Sequence, residues 1–258
     1  MNGIRGEIRF CSWQRRSRTV RGSVHHNALQ QRPWVLFVHG FTGHRIGPNY
    51  LYVRLARMLF EQGVSSLRYD CPGCGESDGA FADATLSEMI DSIIGASAVV
   101  RRRYRPSRII LCGHSLGGAA ATLAAPHVKA AGLILLAPLC DTKGIVQRYR
   151  PVLEQSHHPD ALFEHGSFMM KPSFLVDIAK HDPLSVFDEG YKGDLLLFQG
   201  DEDRAVSVRE SGRYVHRARR RGVPCGYHLL GGVDHQFSSA RAIAFLGRRM
   251  AQWIQGNG

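Results

Sequence analysis

The sequence predicts an α/β fold, a mostly parallel eight-stranded sheet with helices on both faces, built as one domain over residues 1–258. Three observations carry this. Short apolar runs of strand length alternate with helix-periodic segments along most of the chain. Two of those runs, residues 34–38 and 133–137, are apolar throughout, as strands covered on both faces are. A length of 258 residues, 44% hydrophobic and 21% charged, is enough for one full core.

The elements follow in order. Residues 6–10 and 19–25 read as strands joined by a polar turn, and residues 34–38 as the first buried strand. Residues 50–62 place Leu51, Leu55, Met58 and Leu59 on one helical face, with Gly63 as the stop. A strand over 64–69 comes next. Thr85-Leu86-Ser87-Glu88 is a capping box that opens a helix to about residue 102, with Met89, Ile90, Ile93 and Ile94 on its apolar face. Strand 108–112, helix 116–125 and strand 133–137 continue the rhythm. It resumes with strand 195–199, helix 208–221, strand 227–230 and helix 240–254.

The interval 142–193 interrupts that rhythm. It is far longer than an ordinary connection and holds Phe163, Phe168, Met169, Met170, Phe174 and Leu175. These apolar residues predict a small cap or lid folded back on the domain.

Composition sets limits on function. No apolar stretch reaches the roughly 20 residues of a spanning helix. The start, Met1-Asn2-Gly3-Ile4-Arg5-Gly6-Glu7, offers no signal-peptide core, so a cytoplasmic location is expected. The net charge of +11 comes almost wholly from arginines scattered along the chain, with no nucleic-acid motif among them. A solvated basic surface is expected, with no nucleic-acid partner. Six cysteines include Cys71-Pro72-Gly73-Cys74, but no second CxxC completes a metal site, and these thiols read as incidental. Cys112 ends a buried strand, where cysteine acts as a small hydrophobe. No metal or other cofactor is expected.

The chemistry-bearing residues lie at strand ends. Gly113-His114-Ser115-Leu116-Gly117 is a G-x-S-x-G between a strand and an Ala-rich helix. Such a sharp turn lifts a serine hydroxyl above the sheet and aims a helix N-terminus at developing negative charge. A hydroxyl needs a base to become nucleophilic, and with this motif the acid and then the histidine follow the serine along the chain. His235, in Gly232-Val233-Asp234-His235-Gln236-Phe237 after the last strand, fits the base. Asp203, in Gly200-Asp201-Glu202-Asp203-Arg204-Ala205-Val206, fits the orienting acid. Asp201 and Glu202 read as turn formers capping the next helix, and Asp141 is a second location for the acid. His39-Gly40-Phe41 follows strand 34–38, and the backbone N–H groups of Phe41 and Leu116 are the expected oxyanion donors.

Together, His39-Gly40-Phe41, Asp70-x-x-Gly73-x-Gly75-x-Ser77, Gly113-x-Ser115-x-Gly117, Gly200-x-x-Asp203-x-x-Val206 and Asp234-His235 resemble the α/β-hydrolase superfamily. Phe41-Thr42-Gly43-His44-Arg45, with Asp78-Gly79, further resembles small bacterial esterases of the cinnamoyl (feruloyl) type. That resemblance implies a serine carboxylesterase acting on small to medium esters through an acyl-enzyme, with its cap between the sixth and seventh strands. It also makes Cys71 and Cys74 fillers of a glycine-shaped loop. An acyltransferase or serine peptidase on the same triad, or a non-catalytic ligand-binding module, are the alternatives. Tyr149, His157, His158 and Asp160 are polar cap residues that could meet a substrate. Oligomeric state is left open, a homodimer included.

Overall fold

A computed structural model describes residues 6–27, 33–155, 158 and 161–256. The chain begins with a hairpin, β1 (Gly6–Arg15) and β2 (Arg18–Asn27). The hairpin is longer than sequence alone indicates, because Arg16 takes a left-handed φ of 53° and lets a two-residue turn close it. Cross-strand register then seats Trp13 against Val20. β3 (Trp34–Val38), β4 (Ser65–Tyr69), β5 (Ile109–His114), β6 (Gly132–Leu136), β9 (Asp194–Gly200) and β10 (Cys225–Leu230) complete an eight-stranded sheet.

The strand order is β1-β2-β4-β3-β5-β6-β9-β10. β1, β2 and β4 pair antiparallel, and every pair from β4 through β3 to β10 is parallel. The parallel strands' carboxyl ends therefore share one rim, the edge at which open α/β sheets gather ligand-binding groups. The motif residues 39–41, 115, 203 and 235 all follow strands that end there.

Two cores lie on the two sheet faces. One joins Leu36, Leu111, Leu135 and Leu197 to α2 (Leu86–Tyr104), α3 (Leu116–Ala124) and α8 (Val208–Arg220). The other joins Val35, Phe37, Ile110 and Phe198 to α1 (Leu51–Glu61) and α9 (Ala240–Gly256). Adjacent residues of one strand thus feed opposite cores, which is why their runs are apolar throughout. Cys112 is buried in the second core.

Between β6 and β9 the described chain forms α4 (Thr142–Arg148), α5 (Arg150–Gln155), an antiparallel hairpin of β7 (Phe163–His165) and β8 (Phe168–Met170), α6 (Pro172–Ile178) and α7 (Ser185–Asp188). Phe163, His165, Phe168 and Met170 occupy the better-buried face of the hairpin, while Glu164 and Met169 are exposed. Phe174 and Leu175 of α6 join the α2-side core.

Two local expectations need correction. Thr85 Oγ1 accepts from the Glu88 N–H at 3.1 Å, but the Glu88 carboxylate pairs with Arg18 at 2.8 Å instead of turning back to the cap. Helix α8 is capped by Ser207, whose Oγ accepts from Arg209 N–H. Asp201 does not cap it; its Oδ1 accepts the Gly232 N–H at 2.7 Å across the loops. Among the described residues no helix is long and apolar enough to cross a membrane. The opening residues Met1 to Arg5, and His157 and Asp160, lie outside the described residues.

Candidate active site

The site forms where β5 turns into α3. Ser115 has φ 55° and ψ −124°, backbone that glycine enters freely and side-chain residues rarely do. Its N–H donates to the Leu136 carbonyl at 3.0 Å, and its carbonyl accepts from Gly118 and Leu139 N–H. Those bonds to the neighbouring strand and loop hold the turn in place. Leu116 is the first residue of α3, so its N–H has no acceptor within the helix.

The end of β3 lies directly against this turn. A Cβ at Gly40 would sit 3.1 Å from Ser115 Cβ and 3.2 Å from the His114 carbonyl, so only glycine lets the two segments touch comfortably. Gly43 N–H donates to the Gly40 carbonyl at 3.1 Å, closing a turn in which Thr42 takes φ 57°. The buried His39 braces this turn: Nδ1 donates to the Gly40 carbonyl at 2.8 Å, and Nε2 accepts from Cys71 N–H at 3.0 Å. The Phe41 ring packs on Phe174, Phe81 and His165, with centroids 4.9, 5.3 and 5.4 Å away. Beyond it, Arg45 forms a mostly buried ion pair with Asp70 and also reaches Glu76.

At the other side, β9 and β10 deliver Asp203 and His235. The two loops touch at Gly200, where a Cβ would collide with the Val233 carbonyl. His235 Nδ1 lies 2.7 Å from Asp203 Oδ2. Asp203 is fully buried as a side chain and accepts three further bonds, from Ala205 N–H and Val206 N–H at 2.8 Å and from Gln199 Nε2 at 2.9 Å. Burial alone would raise the Asp203 carboxyl, but His235 and the two amides outweigh it and hold it below the usual carboxylate range. Gln199 is itself fixed by the Ser211 hydroxyl.

Ser115 stands between two cavities. One, of about 320 Å³, is lined by Gly40, Thr42, His44, Ser115, His235 and Gln236 among others. The second, of about 370 Å³, runs under the 142–193 segment and is lined by Leu139, Ile145, Tyr149, His165, Met170 and Phe174 among others. Phe41 and Ser115 border both. Among the described residues the Ser115 hydroxyl makes no hydrogen bond; it opens on the cavity it shares with His235.

The sequence-predicted residues Ser115, His235, Asp203, Phe41 and Leu116 thus meet at one rim. Asp141 is not beside His235: its Oδ1 accepts Gly144 N–H at 3.0 Å as the cap of α4, though it lines the larger cavity. Tyr149 lines that cavity with its hydroxyl 2.5 Å from His165 Nδ1, whereas His158 is exposed and is not among the lining residues. Sequence reasoning missed His165, which meets Tyr149 and Phe41 from a hairpin remote from the motifs. It also missed Gln199, which bonds Asp203 only four residues on but reads from sequence as one more residue of a strand. Among the described residues no group of three or more His, Cys, Asp or Glu could hold a metal ion.

Residues 30–184 match the family model described as Serine aminopeptidase, S33. A stretch of 110 residues, 41% of this chain, is 30% identical to Esterase EstD of Thermotoga maritima, and it spans 27% of that protein's length. The structure of Est1E from Butyrivibrio proteoclasticus with ferulic acid bound is similar at a TM-score of 0.81 and 22% identity, covering 96% of this chain and 98% of that one. Mouse alpha/beta hydrolase domain-containing protein 10 gives a TM-score of 0.78 at 20% identity, covering 97% of this chain and all of that one (100%). At such identities the likeness is one of fold, the α/β-hydrolase fold.

Proposed function

This chain belongs to the Serine aminopeptidase, S33 family, and we propose that within it the chain is a serine carboxylesterase hydrolysing small to medium esters through an acyl-enzyme, as its likeness to Esterase EstD and Est1E supports. One observation supports this above the rest. A histidine held by a buried carboxylate at 2.7 Å opens on the same cavity as a serine on a strained strand-to-helix turn.

In this reading Ser115 attacks the ester carbonyl while His235 Nε2 takes its proton. Asp203 keeps the Nδ1 proton on the far side of the ring and stabilises the imidazolium, remaining ionised throughout. The amides of Phe41 and Leu116 receive the oxyanion of the tetrahedral intermediate. His235 then protonates the leaving alcohol, and water releases the acid in the mirror of the first step. The larger cavity, roofed by the 142–193 segment acting as a cap, takes the acyl part, and the smaller one takes the alcohol.

The family's description favours a second reading, a peptidase, in which the same acyl-enzyme forms with an amine leaving. Turnover of p-nitrophenyl esters of rising chain length and methyl ferulate, set beside aminoacyl p-nitroanilides, separates the two. Adding an alcohol or amine acceptor to the ester assay reveals acyl transfer. Ser115→Ala is expected to abolish ester turnover, and Asp203→Asn to lower kcat by up to roughly 10⁴-fold. Near-normal turnover by Ser115→Ala, or no reaction of the native protein with a fluorophosphonate probe, would sink this assignment.

A further inference from the structure

His114 precedes Ser115 in the chain, yet its ring is directed at the loop that carries His235. It is buried, at 5% exposure, and both ring nitrogens are engaged. Nε2 lies 2.9 Å from the backbone carbonyl of His235 and Nδ1 lies 3.1 Å from the Tyr52 hydroxyl. A carbonyl only accepts, so Nε2 carries the proton, and Nδ1 is left to accept the O–H of Tyr52. The ring also packs on the His235 ring, centroids 4.8 Å apart and planes 34° from parallel, and edge-on to Phe237 at 6.1 Å.

The loop it reaches is tied on its near side by Glu202 N–H to the Val233 carbonyl at 3.1 Å, and on its far side by a turn and the buried Phe237. Among the described residues the bond from His114 is the one made to the backbone of His235 itself. Phe237 N–H closes a turn on the Asp234 carbonyl at 3.2 Å, and the Ser238 backbone N–H and hydroxyl donate to the Asp234 carboxylate at 2.8 and 2.7 Å. Asp203 fixes the side chain of His235, but not its backbone.

We propose that His114 is a positioning residue that locks the backbone of His235, through its Nε2–H and a Tyr52-fixed tautomer, at the place from which the ring can serve Ser115. This rests on the reaction proposed above. Since His114 and Ser115 are neighbours on one rigid turn, the bond ties the base's loop to the nucleophile's own backbone. Burial first, then the adjacent His235, push the pKa of His114 down to about 3, and a neutral ring is what gives Tyr52 a tautomer to fix. A neutral ring also spares the imidazolium of His235 a second positive charge against its face.

A histidine that merely fills space would be replaced without kinetic consequence by an apolar residue of similar size. A donor that sets geometry would not, because a misplacement of about 1 Å can cost roughly 100-fold. The test compares His114→Met, His114→Gln and Tyr52→Phe in p-nitrophenyl ester turnover. Gln places an amide N–H near the position of Nε2; Met does not. The expected result for His114→Met is a kcat lower by about 10- to 100-fold with KM within about twofold. His114→Gln should recover most of that loss, and Tyr52→Phe should lower kcat several-fold. A loss carried by KM, or a Gln variant no better than Met, overturns the proposal. If His114→Met does not fold, Gln and Tyr52→Phe decide, and a Tyr52→Phe kcat equal to the native one overturns it. The two failures are distinguishable: a fully active Ser115→Ala removes the reaction itself, whereas an inactive Ser115→Ala beside a native-like His114→Met removes only the role of His114.

Discussion

At Ser115 the backbone bears a cost that its glycine neighbours only partly relieve: Gly113 and Gly117 leave room for the turn to close, but Ser115 keeps its own Cβ at a positive φ. A positive φ of 55° with a Cβ attached stores on the order of 1–3 kcal/mol, tolerated because the Leu136 and Leu139 bonds fix both sides of the peptide. Ser115→Gly should therefore raise stability by about 1 kcal/mol, net of the extra entropy glycine brings to the unfolded chain. A thermal melt checks it, and a Tm equal to or below that of the native protein would refute the strain. His114 gives a pH signature at the same scale. Burial, then His235, lower its folded value to about 3, while unfolded histidine sits near 6.5. Between those values the unfolded chain binds more protons, so stability falls as pH drops from about 6.5 toward 3. His25, lowered to about 4 by burial and then Arg68 and Arg57, adds to the same slope. Replacing His114 by Gln should flatten the fall of Tm between pH 6.5 and 4. Parallel curves would mean that His114 titrates normally in the folded state. The turn's serine was legible from glycines two residues either side; the function of the histidine beside it was not, because its partners lie on α1 and on a loop 121 residues away.

Elements show the same division between what spacing reveals and what contact decides. β3 and β6 were readable because burial on both faces leaves an unbroken apolar run, and β5 was readable from its apolar first four residues, Ile109–Cys112. Their neighbours' caps were half readable. Thr85 caps α2 as its spacing requires, but Glu88 is drawn to Arg18, a residue 70 positions earlier that no local window contains. The docking of the 142–193 segment was unreadable for the same reason. Asp177 of α6 accepts Ser87 N–H at 2.9 Å and Ser87 Oγ–H at 2.6 Å, placing a carboxylate at the N-terminus of α2. His181 Nε2 meets the same hydroxyl at 2.9 Å, and Lys171 reaches Asp83 at 2.7 Å. Asp177→Ala leaves the first turn of α2 without that acceptor, at a cost of about 1–3 kcal/mol. Because α6 also carries Phe174 into the larger cavity, the variant should show faster amide hydrogen exchange in α6 together with a raised KM for esters. Native exchange rates would show that the apolar contacts alone hold the segment.

For the molecule as a whole, one sheet divides two cores, and among the described residues only the α2-side core lines the larger cavity. Phe174 belongs to the α2-side core and lines that cavity beside Phe41. Leu246 of α9 is fully buried in the opposite core, with Ile243 and Met250 on the same helix. Both are apolar side chains whose truncation leaves a void, so Leu246→Ala should cost about 2–5 kcal/mol and Phe174→Ala about 3–5 kcal/mol. For a chain of this size each kcal/mol is worth roughly 2–4 °C of Tm. Their effects on turnover should separate, since the sheet lies between α9 and the cavity roof. Leu246→Ala should melt earlier yet keep its KM for medium-chain esters at temperatures well below its transition. Phe174→Ala should melt earlier and, if the larger cavity takes the acyl part as proposed, also lose discrimination among acyl chain lengths, because a residue lining that cavity is truncated. If Leu246→Ala shifts KM as much as Phe174→Ala does, the two faces are coupled through the sheet and the cavity wall is not what reads the acyl group.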